Sequence, residues 1–144
     1  MAEKKEIKLV GFHLNKINAE KKEITHLPDK ALEIKSNINI IDVEKFKPEI
    51  SKQESLKIKF SFDIDYTELG KISLEGTIFL ILNNYLIKEA LSAWKQRRLP
   101  NELQEAVMNI IIQKASLRAF QLEEEINLPL HLQIPRVKIQ SKPE

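Results

Sequence analysis

From Leu56 to Tyr66 the chain alternates without a break. Leu56, Ile58, Phe60, Phe62, Ile64 and Tyr66 are apolar, and Lys57, Lys59, Ser61, Asp63 and Asp65 between them are polar or charged. Side chains on a strand point alternately to opposite faces, so this spacing predicts a long strand with one dry face and one wet face. Thr67-Glu68-Leu69-Gly70-Lys71 follows as a turn, with Gly70 available for a positive φ. The return strand runs from Ile72 to Leu82. It keeps Ile72, Leu74, Ile78, Leu80 and Leu82 on one face and adds Phe79 and Ile81 on the other, so its second half is expected to be buried on both sides. Each arm of this hairpin spans roughly 35 Å.

Upstream, the apolar parity of Ile7 to Ile17 switches at Gly11, which predicts a strand with a bulge or bend. Ala19 to Pro28 is charged and reads as loop or strand end. Leu32 to Val43 forms a second strand, with a bulge expected near Ile40-Ile41, and Lys45 to Ser55, containing Pro48, reads as loop. Downstream the period lengthens. Leu86, Ile87, Ala90, Leu91 and Trp94 recur at helical steps, with Asn83 or Asn84 available as N-cap and Lys95-Gln96-Arg97-Arg98 at the end. Pro100 opens a second helix reaching to about Glu124. Its expected apolar stripe is Leu103, Ala106, Val107, Ile110, Ile111, Lys114, Leu117 and Phe120. The tail, Leu128-Pro129-Leu130-His131-Leu132-Gln133-Ile134-Pro135, alternates again, and its prolines suit an extended edge strand or a docked loop.

These elements make an α+β protein, and 144 residues suit a single domain over 1–144. Apolar residues at 42% and charged residues at 31% mark a globular chain. The net charge of +2 is too small to argue for nucleic acid or anionic lipid, and it is not segregated along the chain. With no cysteine, disulfides, thiolate chemistry and cysteine-rich zinc sites are excluded. Met1 to Glu6 lacks the apolar stretch of a signal peptide, and the longest apolar run, Ile78 to Leu82, is far short of a membrane span. A soluble, cytoplasmic protein without membrane contact is the expectation.

Candidate chemistry is sparse. His13, His26 and His131 are scattered, with no second ligand at metal-like spacing. Asp63 and Asp65 share a strand face with Lys57 and Lys59, which reads as a solvated, salt-bridged surface rather than a carboxylate pair for catalysis. Glu123-Glu124-Glu125 reads as a solvated helix end. Lys95, Arg97 and Arg98 form the densest basic cluster, but nucleic-acid binding wants interleaved aromatic platforms and Trp94 stands alone. Gly11, Gly70 and Gly76 are isolated, so no phosphate loop is present. No enzyme, cofactor or metal is expected. What remains is an excess of apolar surface on the dry face of 56–82, the second helix and the tail, which an oligomer interface or a groove for extended polypeptide would use.

The order of these elements, an amphipathic hairpin at 56–82, a helix at 84–95, a long helix at 101–124 and a proline-punctuated apolar tail through Val137, resembles the SecB-type molecular chaperones over about residues 5–139. The resemblance implies a four-stranded antiparallel sheet followed by two C-terminal helices packed on one face, assembled as a homo-oligomer, a dimer of dimers. It further implies an ATP-independent holdase whose partners are unfolded or partly folded polypeptide clients. Carried over by position, the client-binding groove would use Phe60, Phe62, Tyr66 and Phe79 of the hairpin. Trp94 and Leu99 of the helix connection would add to it, as would Leu130, Leu132 and Ile134 of the tail. Two other readings stand beside this one: a scaffold subunit whose apolar faces are consumed by self-assembly or a fixed protein partner, and a single-strand nucleic-acid binder using the sheet face with Lys95, Arg97 and Arg98.

Overall fold

The computed structural model describes residues 7–23, 33–47 and 54–132. Four strands, β1 (Lys8–Lys21), β2 (Lys35–Phe46), β3 (Ser55–Asp65) and β4 (Gly70–Ile81), precede two helices, α1 (Asn84–Trp94) and α2 (Asn101–Glu125). The strands form one antiparallel sheet in the order β1-β4-β3-β2. The alternating hairpin therefore occupies the centre, and the two N-terminal strands are its opposite edges.

Register explains the parity switches in the sequence. On β1, Leu9, Phe12, Leu14, Ile17 and Ala19 face Leu80, Ile78, Gly76, Leu74 and Ile72 of β4, all on one face of the sheet. Keeping those five on one face takes two register shifts, one between Leu9 and Gly11 and one between Leu14 and Lys16. The shift at Gly11 was expected. The second leaves Asn15 as the extra residue, and its side-chain oxygen accepts the Thr77 hydroxyl at 2.8 Å. On β2 the shift falls between Ile40 and Asp42, as the Ile40-Ile41 doublet predicts.

The face of even-numbered residues on β3 and β4 is the core. Leu56, Ile58, Phe60, Ile64, Tyr66, Ile72, Leu74, Ile78 and Leu80 are buried there beneath Leu103, Val107, Ile111, Ala115 and Ala119 of α2. Gly76 opens room for Phe60, since a Cβ at that position would lie 2.5 Å from the His13 oxygen and 2.7 Å from the Phe60 ring. Phe12 then stacks on Phe60 at 5.4 Å. Gly70 closes the hairpin at φ +150°, where a side chain would run into the Glu20 carbonyl of β1.

Three expectations are corrected. β2 continues past Val43 to Phe46, so the following loop starts later than Lys45; Phe46 packs on Phe79 at 5.0 Å, and the Ser55 hydroxyl donates to its carbonyl. The second half of β4 is not sealed on both sides, because the helices cover one face and leave Phe79 and Ile81 half-buried. The buried line of α2 runs Leu103, Val107, Ile111, Ala115, Ala119 and Glu123 in steps of four; Lys114 and Leu117 point to solvent. Two alanines in that line let the helix backbone approach the sheet, which the bulkier stripe would prevent. In the tail, Leu128 to Leu132 takes the docked-loop alternative, without strand structure, and the remainder, including Ile134, lies outside the described residues.

The Asn83 side chain caps α1 as predicted, accepting from the Leu86 amide at 2.7 Å. Among the described residues no helix is long and apolar enough to cross a membrane.

Candidate functional site

Between the β2 edge and the α1–α2 connection lies an open groove of about 490 Å³. Its floor is Ile38 to Ile41 of β2; Trp94, Arg97, Arg98 and Leu99 form one wall, and Gln104 and Met108 of α2 the other. An edge strand carries a row of N–H and C=O groups with no strand beyond it. The bulge places an additional isoleucine on that edge, and Ile41 is 47% exposed. A volume in this range accommodates a few side chains, and the lining sets Ile38, Ile40, Ile41, Trp94, Leu99 and Met108 beside Asn39, Arg97, Arg98 and Gln104.

The wall at Trp94 is built by an unusual helix ending. The Arg97 amide bonds the Trp94 carbonyl at 2.8 Å and the Arg98 amide reaches back to the Ala93 carbonyl at 3.2 Å. This ending requires a left-handed residue, normally glycine, and Arg97 occupies it at φ 59°. An L side chain there costs roughly 1–2 kcal/mol. In return the Arg97 guanidinium sits over the Trp94 ring, 5.0 Å from its centroid. Nearby on β2, the Asp42 carboxyl is held below its usual range chiefly by the hydrogen bond it shares with Glu44, with smaller contributions from the Val43 amide, the Trp94 indole and Lys59. Trp94 is thus held under the Arg97 guanidinium.

A second cluster is polar and buried. Glu123 of α2, fully buried, accepts from the Tyr66 hydroxyl and, at 2.9 Å, from the His131 amide. The His131 Nδ1 lies 3.0 and 3.1 Å from the two carboxyl oxygens, and its Nε2 lies 3.0 Å from the Ser116 hydroxyl. The imidazole also packs on Phe120 and Phe62, at 4.9 and 5.7 Å. Burial first, then the Glu123 hydrogen bond and charge, pushes the Tyr66 phenol well above its ordinary range. Serine, histidine and glutamate in this order match the spacing of a hydrolytic triad. The His131 side chain is only 1% exposed and Ser116 4%, so no substrate reaches the hydroxyl and the network acts as a fastening for the tail. Glu123 is accordingly not part of a solvated helix end.

The structure divides the sequence-predicted site residues into three groups. Phe60, Phe62 and Tyr66 are interior, at 0%, 2% and 0% exposure, because α2 and the docked loop cover their face; they do not line an open surface of this chain. Phe79 lies on the opposite face of the sheet, half-buried beside Phe46 and His13. Trp94 and Leu99 do come together at the groove, Trp94 half-buried and Leu99 buried at 6% exposure in its wall. Leu130 and Leu132 are each 42% exposed on either side of the His131 anchor, whose neighbour Phe62 pairs in register with Ile38 of the groove. Sequence reasoning missed Ile38, Ile40, Ile41 and Met108. The available signal was an isoleucine doublet at a predicted bulge.

No family model and no curated protein matches the sequence. Among solved structures, the fold matches the Mycobacterium tuberculosis SecB-like chaperone Rv1957, determined in complex with a ChAD peptide from the Rv1956 HigA1 antitoxin. The TM-score is 0.53 at 12% sequence identity, over 96% of this chain and 93% of that one. The fold is therefore SecB-like: a four-stranded antiparallel sheet followed by two helices.

Proposed function

We propose that the protein is an ATP-independent cytoplasmic chaperone, a holdase without catalytic activity that keeps unfolded or partly folded polypeptides from aggregating. The observation that carries this reading is the groove, in which Ile40, Ile41, Trp94 and Met108 stand beside β2, an edge of the sheet with no neighbour among the described residues. An extended client segment adds to β2 through main-chain hydrogen bonds, which are indifferent to sequence, while alternate side chains settle between Ile40, Ile41, Trp94, Leu99 and Met108. Leu130 and Leu132 extend the apolar surface. The SecB-like fold supports the reading. Self-assembly belongs to it as well, since Tyr85, Ile112 and Leu117 project from the helices at 71%, 40% and 62% exposure.

The test is aggregation of a chemically unfolded client, without nucleotide, at rising ratios of this protein. Suppression near stoichiometric ratios, lost in Ile41→Glu and Trp94→Ala with unchanged circular dichroism, supports the groove. No suppression at large excess refutes it. The same exposed helix residues favour a second reading, a scaffold whose apolar faces are consumed by assembly; light scattering showing a stable oligomer with no client binding would select it.

A further inference from the structure

The groove carries two cations at its mouth. Among the described residues no carboxylate lies within ion-pairing distance of the Arg97 or Arg98 guanidinium, and both side chains are exposed. On β2, the Asp42 carboxyl accepts from the Val43 amide at 2.9 Å. Arg97 is fixed on the face of Trp94 by a backbone conformation that glycine would adopt more easily. An arginine held there against its backbone preference marks the guanidinium itself as the useful group.

We infer that the groove selects, from among unfolded polypeptides, extended apolar segments flanked by aspartate or glutamate. The inference rests on the groove reading above and adds to it the chemical class of the client. Guanidinium forks take carboxylates in paired, charge-assisted hydrogen bonds, and a pre-oriented arginine loses little freedom on doing so. Ile40, Ile41, Leu99 and Met108 receive the apolar core of the segment while Arg97 and Arg98 meet the acid at its end. A single nucleic-acid strand is the competing anionic occupant. The lining disfavours it, because strand binders stack successive bases on several aromatic platforms, and here four aliphatic side chains accompany one tryptophan.

The experiment uses the full chain and fluorescence anisotropy. Three labelled peptides share one alternating apolar core and carry flanks of aspartate, serine or lysine; a labelled oligothymidylate is the fourth probe. The aspartate-flanked peptide is expected to bind roughly five- to tenfold more tightly than the serine-flanked one, with the lysine-flanked peptide weakest. The advantage shrinks between about 50 and about 500 mM salt. Arg98→Glu reverses the order. Arg97→Gly, which the backbone accepts, lowers the ratio of aspartate-flanked to serine-flanked affinity, and so tests the inference even if Arg98→Glu folds poorly. Equal affinity for all three peptides, or an order unchanged in both variants, overturns charge selection and leaves the groove reading standing. Failure of every peptide to bind removes both. Oligothymidylate that binds more tightly than the aspartate-flanked peptide and displaces it overturns the inference in favour of nucleic acid.

Discussion

The buried Glu123 cluster makes a prediction in which one substitution has different effects in two backgrounds. In the wild-type chain, Tyr66→Phe removes a hydroxyl that donates to a fully buried carboxyl while leaving the ring in place. Hydrogen bonds to charged or strongly polar groups contribute about 1.5–3 kcal/mol, and the carboxyl keeps only its His131 donors. The expected loss is about 2 kcal/mol, or roughly 5–8 °C in melting temperature for a chain of this size. With Glu123→Leu already present, the Tyr66 hydroxyl is itself the orphan. Removing it there is expected to cost about 0 kcal/mol or to stabilise slightly. The difference is the coupling energy, of the order of 2 kcal/mol for residues in direct contact. Urea unfolding of the four proteins, at one protein concentration and neutral pH, measures it, provided the slopes with urea agree. Equal costs for Tyr66→Phe in the two backgrounds would mean that Tyr66 and Glu123 do not share the interaction, and the account of the tail fastening would fall with it.

Other substitutions test the backbone and the phenol. Gly70→Ala puts a methyl group into the Glu20 carbonyl at φ +150° and is expected to cost roughly 2 kcal/mol or more, read as a fall in the urea midpoint. Arg97→Gly has the opposite sign, relieving a left-handed arginine and stabilising by about 1 kcal/mol; a melting temperature that does not rise would contradict the strain assigned to that turn. The Tyr66 phenol has its pKa raised in the folded state, so its contribution is full below the unfolded value near 10 and is lost as the pH climbs toward the folded value. Stability of the wild type should therefore fall above about pH 10 more steeply than that of Tyr66→Phe, as followed by urea midpoints across that range. Parallel curves would refute the assignment.

The alternation at 56–66, the parity switch at Gly11 and the Ile40-Ile41 doublet were legible because strand periodicity is a local property, and each appears in the sheet as a continuous face or a register shift. The groove was not, because accessibility depends on what the rest of the chain covers. Phe60, Phe62 and Tyr66 carry the apolar signature of a binding face, and they are interior only because α2 brings Ala115 and Ala119 onto that face and the loop brings His131 beside Phe62. The burial of Glu123 was within reach: counting in fours from Leu103 leads through Val107, Ile111, Ala115 and Ala119 directly to it. Reading the three glutamates as one solvated block ignored that count. The residues left open for a ligand share a feature that composition does not show, since they sit where an element departs from its own period. Ile41 is the added residue of an edge bulge, and Arg97 is the left-handed residue ending a helix. A break turns a side chain away from the face its neighbours share, and here the two breaks line one groove.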